Sequence, residues 1–182
     1  AGAEPLLLER GLDVESRGKT VERFWETGEL DEECNVQFGE GGAGTFSDGK
    51  LTTGTHDSRI SAVLETFHAF GAPEDILYNA KPHVGTDMLR NIVKAMREKT
   101  IALGGEVIFG ARFCGVESKN GLVSAVEYEK NGVREKVITD TLILAVGHSA
   151  RDVFELLMNS GIALEQKPFS VGMRIEHLQS EI

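Results

Sequence analysis

The run Gly39-Glu40-Gly41-Gly42-Ala43-Gly44-Thr45-Phe46-Ser47-Asp48-Gly49-Lys50-Leu51 sets the tightest limit on what this chain can fold into. Its five glycines stand beside hydroxyls, carboxylates and a lysine. Glycine reaches positive φ without steric penalty and lets backbone approach a ligand, yet it loses more conformational freedom on ordering than any other residue. A segment that concentrates this loss is expected to be held by something it binds. The competing reading is a flexible linker, but Gly/Ser linkers rarely interleave Phe, Leu, Asp and Lys in this way.

The 182 residues are enough for one domain with a real core, or for one and a fraction. A formal net charge of -10 argues against a nucleic-acid partner, because phosphate binders carry a basic face. Cys34 and Cys114 lie far apart and outside any CxxC or metal-ligand spacing. That predicts no metal site and a reducing, cytoplasmic setting. No apolar run approaches the roughly 18 to 20 residues that span a bilayer, and no signal peptide opens the chain. The chain starts without Met, and Ala1-Gly2-Ala3 reads like the tail of a helix entering a strand, so a piece of a longer polypeptide is expected.

Pro5-Leu6-Leu7-Leu8, followed by Glu9-Arg10-Gly11, has the pattern of a buried parallel strand whose end emerges at a polar site. In dinucleotide folds a carboxylate at that place hydrogen-bonds a ribose, about 20 residues beyond a GxGxxG that is absent here; a solvated strand end is the plainer reading of Glu9. Helices are predicted over 19–26 with Val21, Phe24 and Trp25 on one face, from 60 to 70 after Asp57 or Ser58, and from Thr86 as N-cap to Gly104-Gly105. Pro73 is expected to open a short helical turn. Strands follow over 106–109, 112–117, 122–129 and 133–139, with Asn131-Gly132 as a hairpin signal. The run Thr141-Leu142-Ile143-Leu144-Ala145-Val146, closed by Gly147, reads as a strand in the middle of a sheet. Beyond it, Ser149 and Asp152 form a capping-box pattern for a helix that would bury Val153, Phe154, Leu157 and Met158.

Leu6-Leu7-Leu8-Glu9-Arg10-Gly11, the stretch 35–53 and the segment 140–152 together resemble the uncharacterised NAD(FAD)-utilising dehydrogenases, flavoproteins with a glutathione-reductase-type FAD domain. The similarity extends through Lys81-Pro82-His83-Val84-Gly85-Thr86-Asp87 and the segment 167–177. The resemblance implies an α/β fold, a partial Rossmann-like FAD-binding domain with a mixed α+β second domain. Residues 1–55 would belong to the FAD domain, 56–105 to a helical segment, 106–161 to strands returning to the FAD domain, and 162–182 to the start of a substrate or lid domain. Glu9, with Arg10 beside it, would hold the adenosine ribose. Gly39, Glu40, Gly41, Gly42, Gly44, Thr45, Ser47, Asp48, Gly49, Lys50 and Leu51 would pass along the pyrophosphate and flavin edge. Phe113 would offer its backbone to adenine, and Ala145 and Gly147 would run past the cofactor. With neither the GxGxxG nor the segment that closes over the flavin, the isolated loop is expected to lose what it holds.

If FAD is present the isoalloxazine does the redox work, so no catalytic side chain is mandatory. The candidates are His148 and Arg151 in the turn, and His83, Arg174, Glu176 and His177 in the other family segments; His148 and Arg151 also have a plainer reading as surface residues. The expected activity is a two-electron dehydrogenase reaction on an unidentified small molecule, with NAD(P)H as a candidate donor. The alternatives are a non-catalytic α/β module, homo-oligomeric through surfaces its missing parts would cover, and a flavoprotein that modifies RNA.

Overall fold

Asp13 starts the first helix. Its carboxylate accepts hydrogen bonds from the N–H groups of Glu15 and Ser16, both at 3.1 Å, the ordinary N-cap solution for helix donors without partners. The computed structural model describes residues 3–169, 171–173 and 175–181. In it α1 runs Val14–Thr27, starting well before the expected Lys19, and closes on Gly28 at φ 76°. Its buried residues are Val14, Arg17, Gly18 and Val21. Trp25, expected on the apolar face, is 59% exposed.

Helix α2 spans Ile60–Ala69, and Pro73 precedes a 3-10 turn over Glu74–Leu77, as its fixed φ predicts. Helix α3 spans Thr86–Ala102 with Gly85, not Thr86, at its N-cap. Leu89 and Ile92 on α3 bury with Ala72, Ile76 and Val84 to form one core cluster. Two smaller clusters gather Val14, Val21 and Phe46, and Ala150, Val153 and Leu157.

Strand β1, Leu6–Glu9, pairs in parallel with β2, Glu106–Phe109, in a register that sets Leu6 opposite Glu106 and Glu9 opposite Phe109. A parallel pair needs a long crossover, and here it contains α1, α2 and α3. A separate antiparallel meander follows: β3 Ala111–Lys119, β4 Leu122–Lys130 and β5 Val133–Ile138. Both turns carry the Asn-Gly chemistry of two-residue hairpins, with Asn120 at φ 55° and Gly121 at 79°, and Asn131 at 52° and Gly132 at 76°. The second was expected; the first was not. Parallel and antiparallel sheets with packed helices make a mixed α/β structure. None of the helices among the described residues is long and apolar enough to cross a membrane.

The segment 141–147 departs from expectation. It forms no strand, and Ile143 is 85% exposed. A strand in the middle of a sheet needs a neighbour on each flank, and among the described residues the parallel sheet holds only β1 and β2, paired with each other. The segment is anchored instead at Val146, which packs on Ala150, Val153 and Leu157 together with Phe38 and Phe113. Helix α4, Arg151–Asn159, has Ala150 at its N-cap without a side-chain hydrogen bond, so the Ser149–Asp152 capping box does not form. Only Val153 and Leu157 are buried on it, while Phe154 and Met158 are exposed.

Candidate functional site

The glycine loop is held by the chain's own side chains. Arg17, fully buried on α1, donates from Nε to the carbonyl of Asn35 at 2.9 Å, from Nη2 to Val36 at 3.0 Å, and from Nη1 to Gly39 at 3.1 Å and Glu40 at 2.6 Å. Its guanidinium also lies 4.5 Å from the centroid of the Phe46 ring, a cation–π contact. Burial lowers its pKa to about 10, which leaves it charged at neutral pH. The charge therefore sits in a ring of carbonyl dipoles, and the loop folds around it. The expectation was a loop held by something it binds; here side chains of the same chain order it.

Glu40 ties the same loop to two helices. One carboxylate oxygen accepts from Val14 N–H at 2.7 Å, and the other stands 2.8 Å from Arg97 Nε without the alignment of a hydrogen bond. Burial pushes the Glu40 carboxyl up, against the pull of Val14 N–H and Arg97. Within the loop, Thr45 is buried with its hydroxyl donating to Gly41 carbonyl at 2.8 Å. At the far end Val84 N–H donates to Gly49 carbonyl and Leu51 N–H to Pro82 carbonyl, both at 2.9 Å.

Strand β1 delivers Glu9 and Arg10 to the start of this loop. One oxygen of Glu9 accepts from Gly11 N–H at 2.9 Å and from Gly39 N–H at 3.1 Å. Gly11 and Gly39 are so close that a Cβ on Gly11 would fall 2.6 Å from Gly39 Cα. Arg10 lies 4.6 Å from the Phe38 ring centroid and bonds Glu33 from Nε at 2.7 Å. Its two Nη atoms form a fork on Asp152 at 3.1 and 3.0 Å. Asp152, expected to cap its own helix, thus joins α4 to β1.

The expected site residues divide accordingly. Glu9, Arg10, Gly39 and Phe113 gather around the β1 end, with the turn before α4 brought in by Asp152 and Val146. Gly41 and Gly42 are exposed, and so are Ser47 and Asp48. Asp48 pairs with Lys50 at 2.7 Å, and Lys50 forms a β-bridge with His83. Ala145, Gly147 and Arg151 are exposed, as are Glu176 and His177. His148 meets the Phe169 ring edge-on at 5.7 Å between centroids. Arg174 lies outside the described residues. Among the described residues no group of three or more His, Cys, Asp or Glu is placed to hold a metal ion.

Arg17, Glu33 and Arg97 were missed. Arg17 had a legible signal, because it falls at helical spacing with Val14, Gly18 and Val21. A charge within an apolar face must find buried partners, and here they are carbonyls.

The Arg10–Asp152 fork carries a pH prediction. Burial works to raise the Asp152 carboxyl, but the hydrogen bonds and charge of Arg10 outweigh it and hold the carboxyl below its ordinary value. A depressed native pKa contributes stability above the unfolded value, and that contribution fades as pH falls through the native one. Asp152→Asn is therefore expected to lower the melting temperature at neutral pH, with the difference from wild type closing as pH falls below about 4. Thermal melts across that range check it; a constant difference would show that the ion pair is not its source.

No family model matches the chain. An uncharacterized protein of Clostridium beijerinckii is 46% identical to it over 181 residues, which is 100% of this chain and 33% of the relative. The chain therefore spans about a third of the length of the curated relative it matches.

Proposed function

We propose that the chain is part of an FAD-dependent oxidoreductase and supplies the adenosine and pyrophosphate side of a Rossmann-like cofactor domain. The meeting of Glu9 with Gly39 carries this reading. A carboxylate at the end of a parallel strand fastens the first residue of a glycine-rich loop, the arrangement that lets one carboxylate order backbone beside a ribose. The residues fit the group. One Glu9 oxygen engages the backbone, which leaves the other for ribose hydroxyls. A Cβ built on Gly42 or Gly44 meets nothing within 4 Å, so the outer side of the loop is open to a ligand.

In this reading Glu9 and Arg10 flank the ribose, residues Gly39 to Leu51 follow the pyrophosphate, and Phe113 presents its backbone to adenine. Ala145 and Gly147 run beside the cofactor. Bound FAD supplies two-electron transfer between a donor such as NAD(P)H and a small substrate. The chain's own contribution is position: Arg17 fixes the loop, Arg10 holds the start of α4 through Asp152, and His148 in the turn before it is the candidate acid or base.

FAD titrated into this chain, and into the longer Clostridium beijerinckii relative, tests the reading. A flavin spectrum retained through gel filtration is expected for the longer relative, and any affinity of this chain for FAD should fall about tenfold or more with Glu9→Ala. Failure of both proteins to retain flavin would overturn it. The exposure of Ile143 at 85% and Met173 at 95% favours a second reading, in which this length of chain is a non-catalytic module whose apolar segments are covered by another surface. A monomeric mass by light scattering together with tight FAD binding would count against that.

A further inference from the structure

Residues of α1 and α3 line a groove of about 330 Å³, with Gly18 and Arg90 among its walls. We propose that this groove is a binding site for a small oxyanion, a carboxylate or phosphoryl group received by Arg90, and that it is distinct from the cofactor site. Arg90 lies over the Phe46 ring, with Cζ 4.3 Å from the centroid. That contact places the guanidinium on the ring but satisfies none of its N–H donors. Arg90 Nε is buried without a hydrogen-bond partner among the described residues. Arg17, which approaches the same ring, has a carbonyl for each of its nitrogens.

A buried donor without an acceptor is unfavourable, and a guanidinium is the side chain best suited to pair with a carboxylate or phosphate. Arg90 Nη1 reaches toward Gly18 on the groove lining, where a Cβ would lie 3.7 Å from it. Lys19, Lys94 and Asn91 line the same groove and add donors. The carboxylates facing it are Glu15, Glu22 and Asp87. Glu15 is neutralised by ion pairs with Lys94 and Arg97. Glu22 and Asp87 set a limit: they disfavour large polyanions and leave room for one compact anionic group at Arg90.

The groove also touches the loop from behind. Phe46 belongs to the loop, and Arg97 connects Glu15 in the groove to Glu40 in the loop. An anion on Arg90 therefore bears on the Phe46 contact without entering the glycine loop's open side.

The test is an NMR titration of this chain with inorganic phosphate and, separately, with succinate, each against chloride at equal ionic strength. The readouts are the Arg90 Nε–H resonance and the Phe46 ring signals. Saturable shifts are expected with at least one of the two. Phosphate alone identifies a phosphoryl site, succinate alone a carboxylate site, and both an oxyanion site that does not discriminate. Arg90→Gln should weaken binding about tenfold or more, and Lys19→Gln by less. Shifts no larger than those of chloride in the wild-type protein, or equal affinity in a folded Arg90→Gln variant, would overturn the proposal. Neither readout depends on flavin, so the outcome is independent of whether FAD binds.

Discussion

Replacing Arg17 with methionine is expected to destabilise the fold by roughly 3–5 kcal/mol, the range for removing one side of a buried charged network. The carbonyls of Asn35, Val36, Gly39 and Glu40 all turn toward one guanidinium. Without it they would face an apolar side chain, and each unsatisfied buried group costs about 1–3 kcal/mol unless the backbone moves. The backbone is expected to move, so the loss should appear as early hydrogen exchange over residues 35–46 as well as in a lowered urea midpoint. Arg17→Lys keeps the charge but not the planar fork, and should recover less than half of the difference. A methionine variant with the wild-type midpoint and the same exchange pattern would show that the loop is ordered by something else.

A second large effect is expected at Gly49. Its φ is +64°, and a Cβ there would fall 1.9 Å from the carbonyl oxygen of Val84, a backbone atom that itself accepts no freedom to retreat because Val84 N–H is bonded to Gly49 carbonyl at 2.9 Å. Gly49→Ala should therefore lose roughly 2–5 kcal/mol, combining left-handed strain with overpacking. Gly44→Ala is the matched comparison, because Gly44 has no positive φ and its built Cβ meets nothing within 4 Å. It should be close to neutral in stability. Parallel urea titrations decide the matter; equal losses at the two positions would mean that the loop needs glycine only for general flexibility.

These two sites show what was legible in the sequence and what was not. The glycine run announced a constrained loop, and Gly39, Gly41, Gly42 and Gly49 do take positive φ. What the run could not show is that the restraint comes from Arg17, because a residue distant in sequence enters the loop only after α1 has packed. The parallel strand at Leu6, the helix at Thr86 and the Asn131-Gly132 hairpin were legible because apolar periodicity and turn chemistry are local. The strand expected at 141–146 failed for the opposite reason. An apolar run records a preference for burial between strands, but a central position also requires strands on both flanks, and among the described residues the parallel sheet holds only β1 and β2. Asp152 failed in a similar way, since a carboxylate three residues after a serine suits a capping box until a tertiary arginine captures it.

The register that places Leu6 beside Glu106 also has a kinetic consequence. The meander closes through two-residue turns and can form from neighbouring sequence, whereas β1 must find β2 after the three helices between them have been ordered. The chain should thus mature at two tempos, with the β3–β5 amides protected first. Glu9 meets Gly39, and Arg10 meets Asp152, only when the late pairing arrives. A protease present during refolding would find the segment between α1 and α2 open for longest, and its cleavage would report how much later the candidate site is assembled than the sheet beside it.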